Sequence, residues 1–460
     1  MKKHNFFEFS LHPIKIMIYL SVFFLVLYPY TVSLSRYVYF STIIKYLTLI
    51  FAAASFFVAY LIVGKKKALN KNFLSLNKLE LIMMIVGLYI TIDNYELKHG
   101  SFYYVISYWC VWIAIIAGKY LDNWQACLYK LLQVFTMFYA VVTIVCFFSP
   151  FIYFKFVIPL FDIESQKQLI KAYQNGFMAG LTDHYSTNGM YLSVGLGVFG
   201  SVLLNDMKSI KNIIGFVVML AALLLTGKRG PLLFSIVSLI IVYYFFKSDK
   251  PKGRLIKIFG ILFLGLVALL IASIWVPQLL NVLNRFFSES NSGDVTAGRG
   301  PLYDLAFKLF KEKPIFGHGW GSYPSYYYEN LGKYMSVYKY RHAHNIYLQL
   351  LCESGIAGFA LNILFFLYNL FSTIMLFTQY RKSKKYLQQS AGFAMPYCLF
   401  IQVFFLLYGM TGNPLYDVAV LFPYYFSIMY VNYYKFNAIK IKNVNKLIGR
   451  LIKKGGIKIV

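Results

Sequence analysis

The stretch RHAHNIYLQLLCESGIAGFALNILFFLYNLFSTIMLF, residues 341–377, opens with Arg341, His342, His344, Asn345, Gln349 and Glu353 and leads into a long, mainly apolar run. A single helix from Asn345 to Phe377 would be roughly 50 Å long at 1.5 Å per residue. The hydrocarbon core of a bilayer is only about 30 Å thick. The segment must therefore tilt steeply or break, and Ser354-Gly355 is the natural break. The reading is a short helix over 345–353 at the membrane interface, followed by a span over 356–377. On the short helix Asn345, Gln349 and Glu353 recur every four residues and share one face. That face is expected to look onto a wet cavity, since polar groups at membrane depth are kept mainly where they act.

The rest of the chain repeats the apolar half of this pattern. Of 460 residues 59% are hydrophobic and 13% charged, against about 25% charged in a soluble domain. Apolar blocks of bilayer-crossing length recur at 14–34, 38–63, 79–92, 102–117, 128–148, 187–204, 211–226, 231–246, 256–276, 356–377, 391–410 and 417–434. The fold expected is an all-α integral membrane protein of about twelve transmembrane helices, with a large extracytoplasmic loop containing short helices. Its organisation reads as N-terminal transmembrane helices over 1–276 (about nine spans), a large extracytoplasmic loop over 277–355, C-terminal transmembrane helices over 356–434 and a basic cytoplasmic tail over 435–460. The block at 79–92 is short, and the apolar stretch 151–161, which holds Pro159, reads as interfacial.

The formal net charge is +28, but its placement argues against nucleic acid. With both termini cytoplasmic, Lys65–Lys67, Lys247, Lys250, Lys252, Arg254, Arg381, Lys382, Lys384, Lys385 and the tail fall on one side, which is the positive-inside pattern. The tail is suited to anionic lipid headgroups. The first apolar run is long and lacks a small-residue cleavage site, so no cleavable signal peptide is expected. Cys110, Cys127, Cys146, Cys352 and Cys398 show no ligand spacing, so neither a disulfide framework nor a metal site is implied.

Two outer loops are long, 149–186 and 277–355. The second carries Arg285, Arg299, Lys308, Lys311, Lys313, Lys333, Lys339 and Arg341 on the side where basic residues should be scarce. The short outer turn LTGKRGPLLF (225–234) adds Lys228 and Arg229 at a membrane boundary, with Gly227 and Gly230 leaving its backbone open. Basic residues kept there point to an anionic ligand. Within the large loop, Pro301 suits the first helical position, and Leu302, Leu305, Ala306 and Leu309 form a stripe at helical spacing. The helix predicted over Pro301 to about Glu312 stops at Pro314. Arg299 stands just before its N-terminus, where backbone N–H groups favour an anion. The GHGWG that follows (317–321) is a tight turn without the Lys-Ser/Thr of a nucleotide loop.

Four pieces together resemble the O-antigen ligase and polymerase-like family of membrane enzymes that assemble bacterial surface polysaccharides. TGKRG (226–230) is similar to the family's T-x-x-R-G element and AGRGPLYDLAF (297–307) to its G-R segment. EKPIFGHGWGSY (312–323) is similar to its P-x-F-G-x-G element. HAHNIYLQLLCESGIAG (342–358) is similar to its H-N-x-x-L-Q-x-x-x-E-x-G-x-x-G signature. GLTDHYSTNGMYL (180–192) also resembles the segment that opens the span before the arginine turn, in the form found in polymerases of capsule and exopolysaccharide. The resemblance covers roughly 180–360 in motifs and the remainder as hydropathy.

The resemblance implies a metal-independent glycosyltransferase without a cofactor, acting on a polyprenyl-diphosphate-linked oligosaccharide at the outer face of a bacterial plasma membrane. A flippase and a chain-length regulator of the same pathway would be its partners. Cationic side chains must then stabilise the leaving diphosphate, and arginine suits phosphate through its planar fork of donors. Arg229 and Arg299 are the expected clamp, with Arg341 a third candidate. The acceptor hydroxyl must lose a proton, and histidine is the usual base near neutral pH. His344 matches the family position. His342 flanks it, and His184 and His318 lie on the same side. Glu353 would orient the base or bind sugar. Gln349 and Asn345 share its face, and Asp183 and Asn188 are further sugar-binding candidates. The loop tyrosines, Tyr323, Tyr326, Tyr327, Tyr328, Tyr334, Tyr338 and Tyr340, fit sugar stacking and an interfacial belt about equally. The activity expected is polymerisation of repeat units; a ligase of the same family is the near alternative, and a flippase or transporter for the same lipid the further one. No repeat of the spans supports a transporter.

Overall fold

The computed structural model describes residues 13–34, 42–66, 76–94, 103–205, 209–246, 270–280, 298–334, 340–382 and 391–454, with isolated positions between 253 and 267. Every long element among them is a helix. In chain order these are α1 (Pro13–Leu34), α2 (Thr42–Lys66), α3 (Lys78–Asp93), α4 (Tyr103–Gly118), α5 (Trp124–Phe148), α6 (Ile163–Gln174), α7 (Tyr185–Asn205), α8 (Ile210–Leu225), α9 (Arg229–Phe246), α10 (Gly300–Glu312), α11 (Tyr323–Asn330), α12 (Ile346–Lys382), α13 (Ala391–Tyr408) and α14 (Val418–Lys454). The apolar blocks read from the sequence fall on α1–α5, α7–α9 and α12–α14. The block at 256–276 lies mostly outside the described residues.

Among the described residues four helical stretches are long and apolar enough to cross a membrane: Pro13–Val32, Trp124–Phe148, Tyr185–Leu204 and Ile346–Gln379. The apolar parts of α2, α4, α8, α9 and α13 are shorter, as is Pro150–Leu160. The all-helical membrane architecture therefore stands, while twelve crossings remain an expectation. Large apolar side chains face outward along α2 (Leu47, Ile50, Phe51, Phe57), α5 (Val134, Phe138, Val141) and α8 (Ile213, Ile214, Val217), the distribution lipid requires and water penalises. The segment 151–161 forms short turns of π- and 3-10-helix, from Tyr153–Val157 and Ile158–Leu160. Beyond residue 434, α14 runs unbroken from the apolar stretch to Lys454.

α7 is the central helix, packed by α5, α8, α9, α13 and α14. Its small residues allow this: a Cβ on Gly197 would overlap the ring of Phe400 on α13, and close helix approach in membranes favours such positions. At one end of the bundle α3, α4 and α14 are tied by a buried polar cluster. Lys119 Nζ lies 2.7 Å from Glu80 Oε2, with both side chains almost fully buried. Asn432 Nδ2 donates to Glu80 Oε1 at 2.8 Å, and the Asn77 N–H donates to Oε2 at 2.9 Å. A buried charge pair is tolerable only when its remaining lone pairs are filled in this way.

At the opposite end of α3 the segment after α10 folds onto the break in α12. Gly355 has φ 59° and ψ −168° inside an otherwise helical run. The backbone groups that the break frees are taken up by the loop. Ile356 N–H donates to Pro314 O at 2.9 Å and Ala357 N–H to Ile315 O at 3.1 Å; His318 N–H donates to Cys352 O at 3.0 Å and Gly319 N–H to Glu353 O at 2.8 Å. Gly317 also has positive φ, and a Cβ there would overlap the Glu353 carbonyl; one on Gly355 would overlap the Ile315 carbonyl. The loop is anchored in turn to the end of α3 through Trp320 N–H to Asp93 O at 2.7 Å. We expect Gly317→Ala or Gly355→Ala to destabilise the protein by more than about 2 kcal/mol, since each adds left-handed strain to a backbone clash. A thermal scan of the detergent-solubilised variants measures this, and an unchanged midpoint would refute the docking.

Candidate active site

The break in α12 turns its first two turns into a platform for polar side chains. Asn345 caps this helix: its Oδ1 accepts from Tyr347 N–H at 3.0 Å and Leu348 N–H at 3.1 Å. Four residues on, Gln349 Nε2 donates to Glu353 Oε1 at 3.0 Å and contacts His342 Nδ1 at 3.0 Å, while its Oε1 accepts from Ala343 N–H at 3.0 Å. Glu353 is fully buried, and its carboxyl also accepts from Tyr323 N–H at 3.0 Å and from the Tyr416 hydroxyl. The Tyr416 ring in turn stacks on the His342 imidazole, with centroids 4.7 Å apart. The shared face of Asn345, Gln349 and Glu353 therefore turns into the protein. Gln349 and Glu353 stand behind His342 and Tyr416 and do not line the cavity in front of them. The physical reason is that three loops (314–323, 341–345 and 409–417) close over the short helix.

His344 sits two residues before this helix with φ 54°. A left-handed backbone is uncommon for a residue with a side chain, though histidine is enriched among the exceptions, and it persists where the surroundings over-determine it. Here Asn413 supplies the constraint. With its amide turned to suit its neighbours, its oxygen accepts from His344 N–H at 3.1 Å and its nitrogen donates to Gln349 Oε1 at 3.2 Å. Ile346 N–H donates to Gly409 O at 2.9 Å, so the α13–α14 connection holds this corner from both sides.

The electrostatics around His344 carry the chemical meaning. Burial first, and then Arg299, His342, Lys228 and Arg341, push its imidazole down to about 3. Three cations from three separate elements therefore bear on one ring. Lys228 closes the α8–α9 turn, Arg299 is the residue preceding α10, and Arg341 precedes α12. The turn is fixed by local geometry. Gly227 has φ 66° and is packed against Phe177, and Lys228 Nζ lies 4.4 Å from the centroid of the Tyr185 ring at the start of α7. Arg229 opens α9 one residue later, half-buried like Lys228. The sequence named Lys228 with Arg229 as a basic residue suited to an anionic ligand but placed only Arg229 in the clamp; the fold shows that Lys228 shares the ring with Arg299 and Arg341.

The other candidates take quieter places. His184 Nδ1 accepts from Ser186 N–H at 3.1 Å and its ring stacks on Tyr185, so it caps α7. Asn188 is fully buried and donates to Thr143 Oγ1 at 2.9 Å, tying α7 to α5. His318 is held between Tyr326 OH at 3.1 Å and Leu309 O at 3.0 Å, which pins the loop to α10. Asp183 joins His342, Trp320, Tyr416 and Asp417 on the wall of a cavity of about 490 Å³. Neither Tyr416 nor Asp417 could be found from the sequence, since both lie in a short unremarkable connection between two spans. Among the described residues no group of three or more His, Cys, Asp or Glu side chains is arranged to hold a metal ion.

Residues 214–363 match the family model Wzy_C, O-antigen ligase. Over these residues the chain is thus similar to the O-antigen ligase/polymerase-like family. The matched stretch holds Lys228, Arg229, Arg299, Arg341, His344, Gln349 and Glu353. The chain is also similar to an uncharacterized protein of Haemophilus influenzae, 26% identical over 171 residues, which is 35% of this chain and 43% of that relative. The chain therefore matches less than half of that relative's length.

The two depressed histidines make stability pH-dependent in a defined direction. Burial holds His342 at about 4 and His344 at about 3, below the ordinary value near 6.5. Between those limits the unfolded chain binds more protons than the folded one, so stability falls as pH falls. It is fully present above about pH 7. We expect the thermal midpoint to drop as pH is lowered from 7 to 4.5, and the drop to shrink in the double variant His342→Gln, His344→Gln. Equal slopes in both proteins would show that these imidazoles are not buried neutral.

Proposed function

We propose that the chain is a membrane glycosyltransferase that joins polyprenyl-diphosphate-linked oligosaccharide units into a surface polysaccharide, without a metal, at the outer face of a bacterial plasma membrane. The observation that carries this reading is the convergence of Arg299, Arg341 and Lys228 on His344, within the stretch that matches the O-antigen ligase family. Three fixed cations beside a neutral imidazole suit an anionic leaving group next to a proton acceptor. The outer location rests on the positive-inside distribution of the remaining lysines and arginines.

The reaction is a single displacement. The acceptor hydroxyl gives its proton to a ring nitrogen of His344 as its oxygen bonds to the anomeric carbon. The bond from that carbon to the diphosphate oxygen breaks, and the diphosphate leaves with the electron pair. Arg299, Arg341 and Lys228, with Arg229 beside Lys228, hold the charge that develops. Arriving diphosphate also neutralises the cations that depress His344, so the imidazole becomes a better base once the donor is bound. Asn413 and Asn345 fix the ring's backbone and so its reach.

Transfer of finished glycan to a terminal acceptor uses the same chemistry and is the second reading. Incubation of purified protein with lipid-linked repeat unit alone separates them: a polymerase makes a ladder and a ligase leaves the unit unchanged. Arg299→Ala or His344→Ala should lower product at least a thousandfold while membrane insertion is unchanged; removal of one charge-stabilising donor alone typically costs about 10²–10³. Gel analysis of polysaccharide from cells carrying each variant gives the readout, and long chains in either would sink the assignment.

A further inference from the structure

We infer that the cavity walled by His342, Trp320, Tyr416, Asp183 and Asp417 is a binding site for an uncharged saccharide, the acceptor end of the growing glycan, and that His342 serves it as a fixed N–H donor. The inference rests on the transferase reading for the identity of the ligand, but its geometry stands apart from the cation cluster.

The first observation is a proton whose position the hydrogen-bond network dictates. Gln349 Oε1 faces the Ala343 N–H, a donor only, and Gln349 Nε2 faces Glu353 Oε1. The amide orientation is thereby unambiguous, so the same Nε2 must donate to His342 Nδ1. A neutral His342 consequently carries its proton on Nε2. Burial holds the ring neutral, with its pKa near 4. His342 lines the cavity, and among the described residues no hydrogen-bond partner is found for its Nε2. Glu353 and Tyr416 lock the ring further, one through Gln349 and the other by stacking. A histidine so held is unsuited to shuttle protons and well suited to present one donor in one direction.

The second observation is the character of the walls. Tyr416 meets Trp320 at a centroid distance of 5.9 Å and Tyr104 at 5.5 Å, so aromatic rings from three elements adjoin on this wall. Faces of this kind stack on the C–H side of sugar rings. Asp183 and Asp417 place two carboxylates on the same cavity, acceptors for vicinal hydroxyls and repellent to anions. Arg299 and Asp417 both act electrostatically on the Tyr408 hydroxyl, so the cation cluster and the cavity adjoin there. Diphosphate and sugar thus have adjoining places, one at His344 and its cations and the other in the cavity that His342 lines. A polyprenyl tail is the other ligand an apolar cavity could take, but it offers nothing to two carboxylates and an N–H donor.

The test uses the full-length protein in nanodiscs and two probes. One is the saccharide freed by mild acid from the lipid-linked pool of the producing cells; the other is sodium pyrophosphate. Binding of each is followed by calorimetry. Saccharide affinity should fall at least tenfold in His342→Ala and in Asp183→Asn, with pyrophosphate affinity changed less than twofold. Arg299→Ala should do the reverse. Mass spectrometry should show the bound saccharide to lack carboxylate and phosphate groups. Saccharide affinity unmoved in both cavity variants would overturn the inference, as would displacement of saccharide by a sugar-free polyprenyl phosphate or an acidic bound saccharide. Should saccharide bind as expected while purified protein transfers no glycan, the transferase reading fails and the cavity assignment survives.

Discussion

Two glycines that touch through their backbones set the position of everything polar in this molecule. Gly317 and Gly355 lie on separate segments, both with positive φ, and neither leaves room for a Cβ on the facing strand of chain. A break in a membrane helix strands N–H and C=O groups that hydrocarbon cannot satisfy. Here residues 314–319 supply the missing partners from outside the helix. The docking sets where the first turns of α12 end and, through His318 and Trp320, where α10 and α3 meet it. Glu353 and Gln349 reach His342 and Tyr416 only because the helix stops where it does.

That docking was half visible in the sequence. The length of 345–377 against the thickness of a bilayer forced a break, and Ser354-Gly355 offered it. The helix from Pro301 and its stop at Pro314 were also legible, from proline chemistry and an apolar stripe, and α10 spans Gly300–Glu312. The partner of the break was not legible, because a glycine turn such as 317–321 looks alike whether it cradles a ligand or a piece of backbone. The polar stripe on the short helix was read correctly as a stripe. Its direction was not, since burial depends on loops far away in sequence. Lys228 was noticed only as one of two basic residues in the outer turn: in a chain with so many lysines, its role carries little information until the fold brings it to an imidazole. Tyr416 and Asp417 gave no signal, as a connection of a few residues between two spans has no periodicity to read.

The chemical character of the site follows from segregating charge within a small volume. Burial, with three cations held near the ring, keeps the His344 imidazole unprotonated, and a carboxylate-bearing cavity begins within a few residues of it. Each half would be unstable without the supports behind it. Asn413, Gln349 and Glu353 are buried or half-buried amides and a carboxyl with saturated hydrogen bonding. Such fully satisfied networks rigidify what they surround. The energetic cost of assembling polar groups at this depth is thus met by backbone contacts of the three closing loops, which also carry His342, His344 and Tyr416.

The origin of the cavity walls has a consequence for diversification. Its floor and sides include Tyr28 on α1, Tyr104 on α4, Asp183 before α7 and Tyr424 on α14, all outside the 214–363 stretch that matches the family, whereas the cations and His344 lie inside it or within its turns. Substitutions on those flanking helices can therefore change the fit of whatever enters without touching the His344 corner.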